Sequence, residues 1–484
     1  MKKSSIINGL SWSFAENILT EIVNFIVSIV LARYIYPSDY GLIALIQIFI
    51  TITSIIVSNG LGAALIQDKD INEEQISTLF YLNLFVGLLF YCALFVFAPI
   101  IATKYNNAEL ILIMRILGIK IPISSIYSMQ HSYIKKKLEF KKFFFSSLIG
   151  TIIAGIVGIF LAYRGYGHWA LIISTLIDQI IDSIVLFITS KWFPKFKFSI
   201  KNTRKQLEFG LHVLMSEFVT RLFSQLRPLI IGVKYSTADL AYDSKAQKIP
   251  NAIINVANSS VTRVLIPTLS NTQDDNEEMK MIARKSVQIY SFFICPIMAG
   301  IYSTSDIFIP LFLTSKWSSC IPYIKLYCLI NLILSFSIYD IKIIQAKGKG
   351  KMLLFCNFIS VINEVLFLTI FTIFSNNPLF LIIGSFCSTL LNSVILSIFT
   401  KKLINYSFWM HLLDYAPSCF VAIIMCLIVK SITIININHW ILLFLQIILG
   451  VIFYFLLSIL FKLKPMTMFL EYVKSISNSN KTKL

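Results

Sequence analysis

Three charged residues lie inside one apolar stretch of this sequence, LMSEFVTRLFSQLRPLIIGVKY, which covers residues 214–235. Glu217 and Arg221 are four residues apart and can pair on one helical face. Arg227 lies six residues beyond Arg221, about 120° further round a helix, so it cannot share that partner. Because a charge at the centre of a bilayer costs about 2.5–3.5 kcal/mol on insertion scales, these residues indicate a polar cavity rather than a lipid-facing surface.

Further cations lie in other apolar stretches, and together they predict a cationic, water-filled cavity. A guanidinium group binds phosphate through a planar fork of donors, so the expected ligand is an anion, above all a phosphate. The alternative for any single cation is that it reaches the membrane interface or pairs with a neighbouring acid, as we expect for Lys342 beside Asp340. The predicted binding residues are Arg115, Arg221, Arg227, Lys245, Lys248, Asn251, Asn255 and Lys325.

Polar residues recur at helical spacing along four of these stretches. The clearest series, spaced by three or four residues, comprises Lys245, Lys248, Asn251, Asn255, Asn258 and Thr262. Such spacing marks one face of a helix. Weaker series begin at Ser13, Gln47 and Glu217. Polar faces of this kind either hold helices together through hydrogen bonds or line a polar interior, and the charges within them favour a polar interior.

Acids within apolar stretches are candidates for coupling to an ion gradient. They are Glu16, Glu21, Asp178, Asp182 and Glu217. Asp178 and Asp182 are four residues apart on one helical face, and their mutual repulsion favours a state in which one carboxyl keeps an exchangeable proton. A second interpretation stays open, in which these acids pair with Arg115 or Lys120. The candidate coupling ions are H⁺ and Na⁺.

The residues do not predict covalent chemistry. Asp68-Lys69-Asp70 matches the DxD of sugar-nucleotide-dependent transferases, but it lies in a short loop without a nucleotide-binding domain around it. No segment reads GxxxxGK[ST], so we do not expect ATP to drive this protein. The eight cysteines are scattered, without the Cys/His spacing typical of a metal site. We therefore predict a protein that is not an enzyme and that carries no cofactor and no metal.

The elements that must position these residues are transmembrane helices. The chain of 484 residues is 57% apolar and 14% charged, whereas soluble domains contain roughly 25% charged residues. Its apolar segments are about 20 residues long, the length of a helix that spans a bilayer. We place fourteen of them, near residues 8–32, 41–61, 78–101, 108–129, 143–163, 168–189, 209–233, 240–268, 286–303, 318–344, 352–374, 378–399, 412–430 and 440–461. They predict an all-α polytopic membrane protein.

The distribution of Lys and Arg predicts the orientation in the membrane. The net charge of +18 would also suit a nucleic-acid partner. However, most basic residues lie in the termini and in alternate loops, such as those near residues 135–142 and 191–205. The positive-inside rule then places both termini in the cytoplasm, and no nucleic-acid partner is expected.

The chain contains a weak internal repeat. Residues 9–34 align with residues 210–235, so that Glu16 meets Glu217, and Arg115 meets Lys325 in a second alignment. Six spans separate the copies, which predicts two pseudo-symmetric six-helix lobes in the same orientation, with the substrate between them near mid-membrane. The predicted limits are 1–200 for the first lobe, 201–402 for the second, and 403–484 for two added helices and a cytoplasmic tail.

Three segments resemble a known family. LARYIYPSDYGLIALIQIF (31–49) and GLGAALIQDKDINEEQISTLFYLNL (60–84) are similar to the signatures of polysaccharide-transporter flippases. These flippases belong to the multidrug/oligosaccharidyl-lipid/polysaccharide (MOP) exporter superfamily. LAYDSKAQKIPNAI (240–253) resembles the opening of the second helix of their second lobe. The family's cationic cavity matches Arg115, Arg221, Arg227 and Lys248 by span and depth.

The resemblance implies a function as well as a fold. It implies alternating access and an undecaprenyl-diphosphate-linked oligosaccharide as the substrate. This precursor of O-antigen, capsule or exopolysaccharide would move from the cytoplasmic to the periplasmic leaflet of the inner membrane. The implied partners are that lipid-linked oligosaccharide, membrane lipid, and the glycan polymerase and chain-length proteins of the same pathway.

Two other functions stay open at this stage. A multidrug/cation antiporter of the same superfamily would need an acidic cavity for cationic substrates, and the cations inside the spans argue against it. A membrane glycan polymerase or ligase would have a large periplasmic loop with Arg and His. Here the outer loops are short, the largest lies near residues 304–317, and only His168 and His439 face that side.

Overall fold

A computed structural model of the protein describes residues 3–58, 60–68, 71–105, 107–137, 139–435, 437–468 and 471. This part of the chain forms helices and contains no strand. Eleven helical segments in it are long and apolar enough to span a membrane. The chain is therefore an all-helical, polytopic membrane protein. It divides into two compact units, residues 1–241 and residues 242–484.

The helices of the first unit follow one another through short connections. They are α1 (Lys3–Tyr34), α2 (Pro37–Ser58), α3 (Gly60–Gln67), α4 (Glu73–Lys104), α5 (Glu109–Gly118), α6 (Lys120–Lys137), α7 (Lys141–Tyr163), α8 (His168–Ser190), α9 (Ile200–Ser224) and α10 (Leu226–Lys234). α7 packs along both α1 and α8, and α9 packs on α2 and α3. The predicted lobe limit at residue 200 assigns α9 and α10 to the second lobe, and that limit stays a prediction.

Two predicted spans of the first unit are broken helices. The span placed at 108–129 consists of α5 and α6, which meet at Ile119, and the span placed at 209–233 consists of α9 and α10, which meet at Gln225. Pro122 and Pro228 are the third residues of α6 and α10. A proline has no N–H and its ring clashes with the carbonyl four residues earlier, but it is tolerated in the first turn of a helix. Each helix is therefore interrupted just before its proline, so that the proline falls in a first turn, where it is tolerated.

The second unit begins within α11 (Thr237–Asn271), which crosses the boundary between the units. It continues with α12 (Asn276–Leu313), a 3₁₀ turn (Ser315–Cys320), α13 (Ile321–Ala346), α14 (Gly350–Phe374), α15 (Leu379–Ile404), α16 (Phe408–Ser431), a second 3₁₀ turn (Ile432–Ile434) and α17 (His439–Leu460). α12 is longer than the span predicted at 286–303. As a result, most of the outer loop expected near 304–317 is helical.

Asp414 of α16 lies at the centre of a polar network in the second unit. Its Oδ2 accepts hydrogen bonds from Arg284 Nε (2.8 Å) and the Tyr406 hydroxyl (3.0 Å), and its Oδ1 accepts from Arg284 Nη2 (2.9 Å) and Gln288 Nε2 (2.6 Å). The Asp414 side chain is only 2% exposed. Because a buried carboxylate must have its charge balanced, this bidentate pair fixes the start of α16 against α12.

A second buried pair, Asp340 of α13 and His411 of α16, lies next to this network. Asp340 Oδ1 is 3.0 Å from His411 Nε2, both side chains are fully buried, and the Tyr406 ring stacks on the imidazole. Lys342 therefore does not pair with Asp340, and the other expected position of Lys342, at the membrane interface, stays a prediction. Residues two positions apart point to opposite sides of a helix, and Lys342 Nζ donates instead to Gln345 Oε1 (3.2 Å).

Candidate functional site

Arg115 and Arg221 occupy equivalent positions in the two broken helices. Each lies in the last turn before the break, seven residues ahead of Pro122 and Pro228 respectively. The carbonyls at the C-terminal end of a helix have no intrahelical donors and carry a partial negative charge, which stabilises a nearby cation. The breaks thus explain how an arginine is tolerated far inside an apolar segment. The sequence signal for this arrangement, an Arg seven residues before a Pro, is missed when hydropathy alone is considered.

Arg115 is half-buried in the first unit and lies against an aromatic ring. Its guanidinium carbon is 4.0 Å from the centroid of the Phe95 ring, a cation–π distance. Gly118 makes this packing possible, because a Cβ there would lie 3.1 Å from side-chain atoms of Tyr91 and Leu94. One face of the guanidinium is therefore covered by α4, and its planar edge keeps the donor fork that an oxyanion needs.

Arg221 and Arg227 lie on opposite sides of the break at Gln225. Arg221 is exposed at the end of α9, and Arg227 is half-buried in the first turn of α10. The Arg221 carbonyl accepts hydrogen bonds from the Ser224 hydroxyl (2.7 Å) and from the Gln225 N–H (3.2 Å) at the helix end. The side chain of Glu217 lies outside the described residues, so its pairing with Arg221 stays a prediction.

The polar series on α11 does not form one uniform surface. Lys245 is 8% exposed, and its Nζ lies 5.6 Å from the centroid of Trp317, whereas Lys248 and Asn255 are exposed. Asn251 Oδ1 accepts a hydrogen bond from Asn331 Nδ2 (3.0 Å) on α13. Asn251 therefore helps to hold two helices together, whereas the side chains of Lys248 and Asn255 are exposed.

Lys325 has a protein partner in the second unit. Its Nζ donates to both carboxylate oxygens of Asp306 on α12, at 2.7 and 2.8 Å. From the sequence, Asp306 falls in the outer loop predicted near residues 304–317, so a pair between Asp306 and Lys325 is not expected. In the structure α12 continues past it to Leu313, so the two charges meet between neighbouring helices. A cation inside a span can pair with a neighbouring acid rather than line a cavity, and Lys325 forms such a pair.

Three of the predicted coupling acids come together in the first unit. Glu16 of α1 accepts a hydrogen bond from Ser147 Oγ (3.2 Å), and Asp178 of α8 accepts one from Thr151 Oγ1 (3.3 Å). Both donors lie on α7. Asp182 is close enough to interact electrostatically with both of these acids. Gly150 allows this approach, since a Cβ there would lie 3.1 Å from the Asp178 carbonyl oxygen.

The arrangement of this acidic cluster limits what it can do. Three carboxylates in one partly buried place repel one another unless a proton or a cation is present. Lys120 is near enough to interact electrostatically with Asp178, and both interpretations from the sequence, ion coupling and pairing with a cation, stay predictions. Glu21, another of the predicted coupling acids, lies on the exposed side of α1. Among the residues that the structure describes, no group of three or more His, Cys, Asp or Glu is arranged to hold a metal ion.

The fold and these sites define a class of protein, a polytopic helical transporter. The solved structure of the lipid II flippase MurJ, in an inward closed conformation, matches with a TM-score of 0.75 at 16% identity, over 94% of this chain and 99% of that one. An inward-facing multidrug resistance MATE family transporter of the MOP superfamily matches with a TM-score of 0.62 at 13% identity, over 80% of this chain and 94% of that one. At such low identity these matches show the fold.

The sequence comparisons identify the family. The family model described as polysaccharide biosynthesis protein matches residues 30–322, and the chain belongs to that family. The succinoglycan biosynthesis transport protein ExoT of Rhizobium meliloti is 24% identical over 72% of this chain and 71% of its own. The teichuronic acid biosynthesis protein TuaB of Bacillus subtilis is 24% identical over 72% of each chain. The lipopolysaccharide biosynthesis protein WzxC of Escherichia coli is 23% identical over 69% and 68%. The polysaccharide-transporter resemblance is therefore confirmed.

We expect Pro228→Ala to increase stability and reduce function. The substitution supplies the missing N–H to the Ser224 carbonyl and allows α9 and α10 to continue as one helix, so the thermal unfolding midpoint should rise. A straightened helix would move Arg221 relative to Arg227, so surface glycan should fall at least about tenfold, a loss equal to about 1.4 kcal/mol. Glycan blots and thermal unfolding of the purified protein measure both effects.

The matched control for this variant is Pro296→Ala, which removes a proline from the interior of α12. It should raise the unfolding midpoint without loss of glycan. Equal loss of glycan in both variants would mean that the break at Gln225 has no special role.

Proposed function

We propose that this protein is a flippase that moves an oligosaccharide linked to undecaprenyl diphosphate across the inner membrane, as a precursor of O-antigen, capsule or exopolysaccharide. The observation that carries the proposal is the pair of arginines, Arg115 and Arg221, at proline breaks within apolar helices. Membership of a polysaccharide biosynthesis family supports it. So do the names of its relatives, which concern succinoglycan, teichuronic acid and lipopolysaccharide.

The proposed binding chemistry is recognition of the diphosphate by guanidinium and ammonium groups. The donors we propose for it are those of Arg115, Arg221, Arg227, Lys248 and Asn255. Two phosphates require several donors at once, and a fork of N–H groups matches their oxygens better than single point charges do. Lys245, Asn251 and Lys325 already have protein contacts, so we assign them supporting roles.

The mechanism we propose is alternating access without covalent chemistry, so the protein is not an enzyme. The chain would span the membrane fourteen times, with α2–α3, α9–α10 and α11 added to the eleven apolar segments. Two six-helix lobes, 1–200 and 201–402, would move the cargo, and residues 403–484 would contribute two further helices and a cytoplasmic tail. A glycan polymerase and chain-length proteins are the proposed protein partners.

A multidrug/cation antiporter is the second candidate function, and the MATE fold match is the observation that favours it. A cationic drug would be repelled by the exposed Arg221 and Lys248. The acidic cluster of Glu16, Asp178 and Asp182 could balance such a substrate, but it is engaged with the hydroxyls of α7. The family match and the arginines therefore favour the anionic cargo.

Arg221 is expected to act through its charge. Arg221→Ala should abolish surface glycan at normal protein levels, and lipid-linked oligosaccharide should accumulate in the cytoplasmic leaflet. Arg221→Lys should keep part of the activity, because it keeps the charge and loses the fork. The matched control is Arg164→Ala, an exposed arginine that caps the end of α7. Full glycan in the Arg221→Ala strain would remove this residue from the site.

Ion coupling through the acidic cluster is a further part of the proposal. Asp182→Asn should remove the dependence of flipping on an imposed H⁺ or Na⁺ gradient, because the amide can neither release a proton nor balance a cation. Proteoliposomes with one gradient at a time would show which ion is used. Glu109→Gln, an exposed acid at the start of α5, is the control. Flipping that is equally fast without any gradient would contradict the coupling.

We also propose that both termini are cytoplasmic, on the strength of the basic residues in alternate loops. A single cysteine introduced at Asn376, between α14 and α15, should react from outside the cell with a membrane-impermeant reagent. A cysteine at Ser199, before α9, should react only after permeabilisation. The reverse pattern would break the proposed count of spans.

A further inference from the structure

A basic cavity of about 410 Å³ lies in the second unit, beside the Asp414 network and apart from the residues assigned to the cargo. Its walls come from the first three turns of α12 and from the segment that follows α17. The side chains that give it its character are Lys280, Arg284, Lys285, Gln288, Lys464 and Met468. These are four cations, one amide and one apolar group.

The wall that follows α17 is held in place by the fold. After α17 ends, Lys462 adopts a left-handed conformation (φ 48°), and the Leu463 N–H donates to the Ser458 carbonyl (3.0 Å). This turn reverses the chain, and the side chains of Leu463 and Met466 are then buried, each 5% exposed. Lys464 lies between these two anchors and is thereby directed to the cavity.

Arg284 is oriented by its partner Asp414 and still has donors to offer. The carboxylate engages Nε and Nη2, so the N–H groups of Nη1 remain for a ligand. Lys280, Lys285 and Lys464 add three positive charges. The acid in the lining is Glu277, whose side chain is 78% exposed and 3.6 Å from Lys280. The lining is therefore net positive and preorganised for an oxyanion.

The cavity lies at the depth of a membrane interface. Trp409, in the first turn of α16, is 70% exposed, and exposed indoles concentrate at the level of the lipid headgroups. Asp414, which holds Arg284, is five residues further along, about 7.5 Å at the rise of an α-helix. Met281 and Met468 are 50% and 40% exposed at the cavity, which gives it an apolar rim beside its cations.

We propose that this cavity binds the phosphate of an anionic phospholipid headgroup, with the glycerol and upper acyl chains against the methionine rim. Basic pockets between helices at the cytoplasmic surface suit such headgroups, and the cytoplasmic leaflet supplies anionic lipid. A free phosphate has the same charge chemistry and no use for the apolar rim. The site is separate from the arginines assigned to the cargo, so it rests on the cytoplasmic orientation of the termini proposed above and not on the proposed cargo.

The experiment titrates a fluorescent phosphatidylglycerol into the full-length protein in phosphatidylcholine nanodiscs. Each interfacial Lys or Arg is worth about fivefold in affinity. The variant Lys280→Gln/Lys285→Gln/Lys464→Gln should therefore bind about a hundredfold more weakly than the wild type. Arg284 is left unchanged because it also holds Asp414. If this variant fails to fold, Lys464→Gln alone should still weaken binding about fivefold.

The control variant Lys349→Gln/Lys401→Gln/Lys402→Gln loses the same charge at two exposed positions of α15 and at the exposed residue before α14. It should bind within about twofold of the wild type. An equal loss of affinity in the control, or no loss in the cavity variant, would overturn the proposal. Inorganic phosphate should not displace the labelled lipid; displacement at the lipid's own concentration would show a free-anion site and overturn the lipid assignment.

Discussion

The carboxylate of Asp414 accepts hydrogen bonds from three side chains, and it illustrates the constraint on which the whole molecule depends. In apolar surroundings a polar group persists only where a neighbouring helix or the end of its own helix satisfies it. Asp414 satisfies this constraint with Arg284, Gln288 and Tyr406, and Lys325 satisfies it with Asp306. Arg115 and Arg221 satisfy it differently, because each lies in the final turn of a helix that a proline has ended.

These two solutions stabilise charge in different ways. A carboxylate engages Nε and Nη2 of Arg284 directly, in a bidentate ion pair. A cation at a helix end is also stabilised through space by the dipoles of the carbonyl groups there. The arginines in α5 and α9 therefore gain part of their tolerance in the membrane from the breaks in their own helices. Arg284 gains its tolerance from a carboxylate on a neighbouring helix.

Much of the fold could be predicted from the sequence, because segment length and hydropathy report directly on helices that cross a bilayer. The predicted ends of the helices were less accurate. α12, for example, already begins at Asn276, in a segment that is too polar for a hydropathy window to detect. The breaks at Ile119 and Gln225 were missed although Pro122 and Pro228 were visible. Their effect on hydrogen bonding has no counterpart on a hydropathy scale.

The role of the candidate site in binding stays a prediction, and the pairings of its charged residues could be seen only in the structure. The acids Glu16, Asp178 and Asp182 do come together, because the spacing along α8 and the small residues of α7 favour that approach. Which cation meets which acid depends on the rotation of each helix about its axis. That rotation is decided by packing between distant segments, so neither Lys325 with Asp306 nor Asp340 with His411 could be foreseen.

The link between Arg284 and Asp414 also imposes an order on biosynthesis. The partners are 130 residues apart in the chain, so α12 leaves the ribosome well before α16 does. At bacterial rates of about 5–20 residues per second, Arg284 waits on the order of ten seconds for its carboxylate. During that interval its charge has to stay among the lipid headgroups, which α12 permits because Arg284 is close to the start of the helix. Translation that stops before α16 would leave this arginine without its counter-ion, and such a fragment would expose to the quality-control proteases of the membrane a helix that is anchored at only one end.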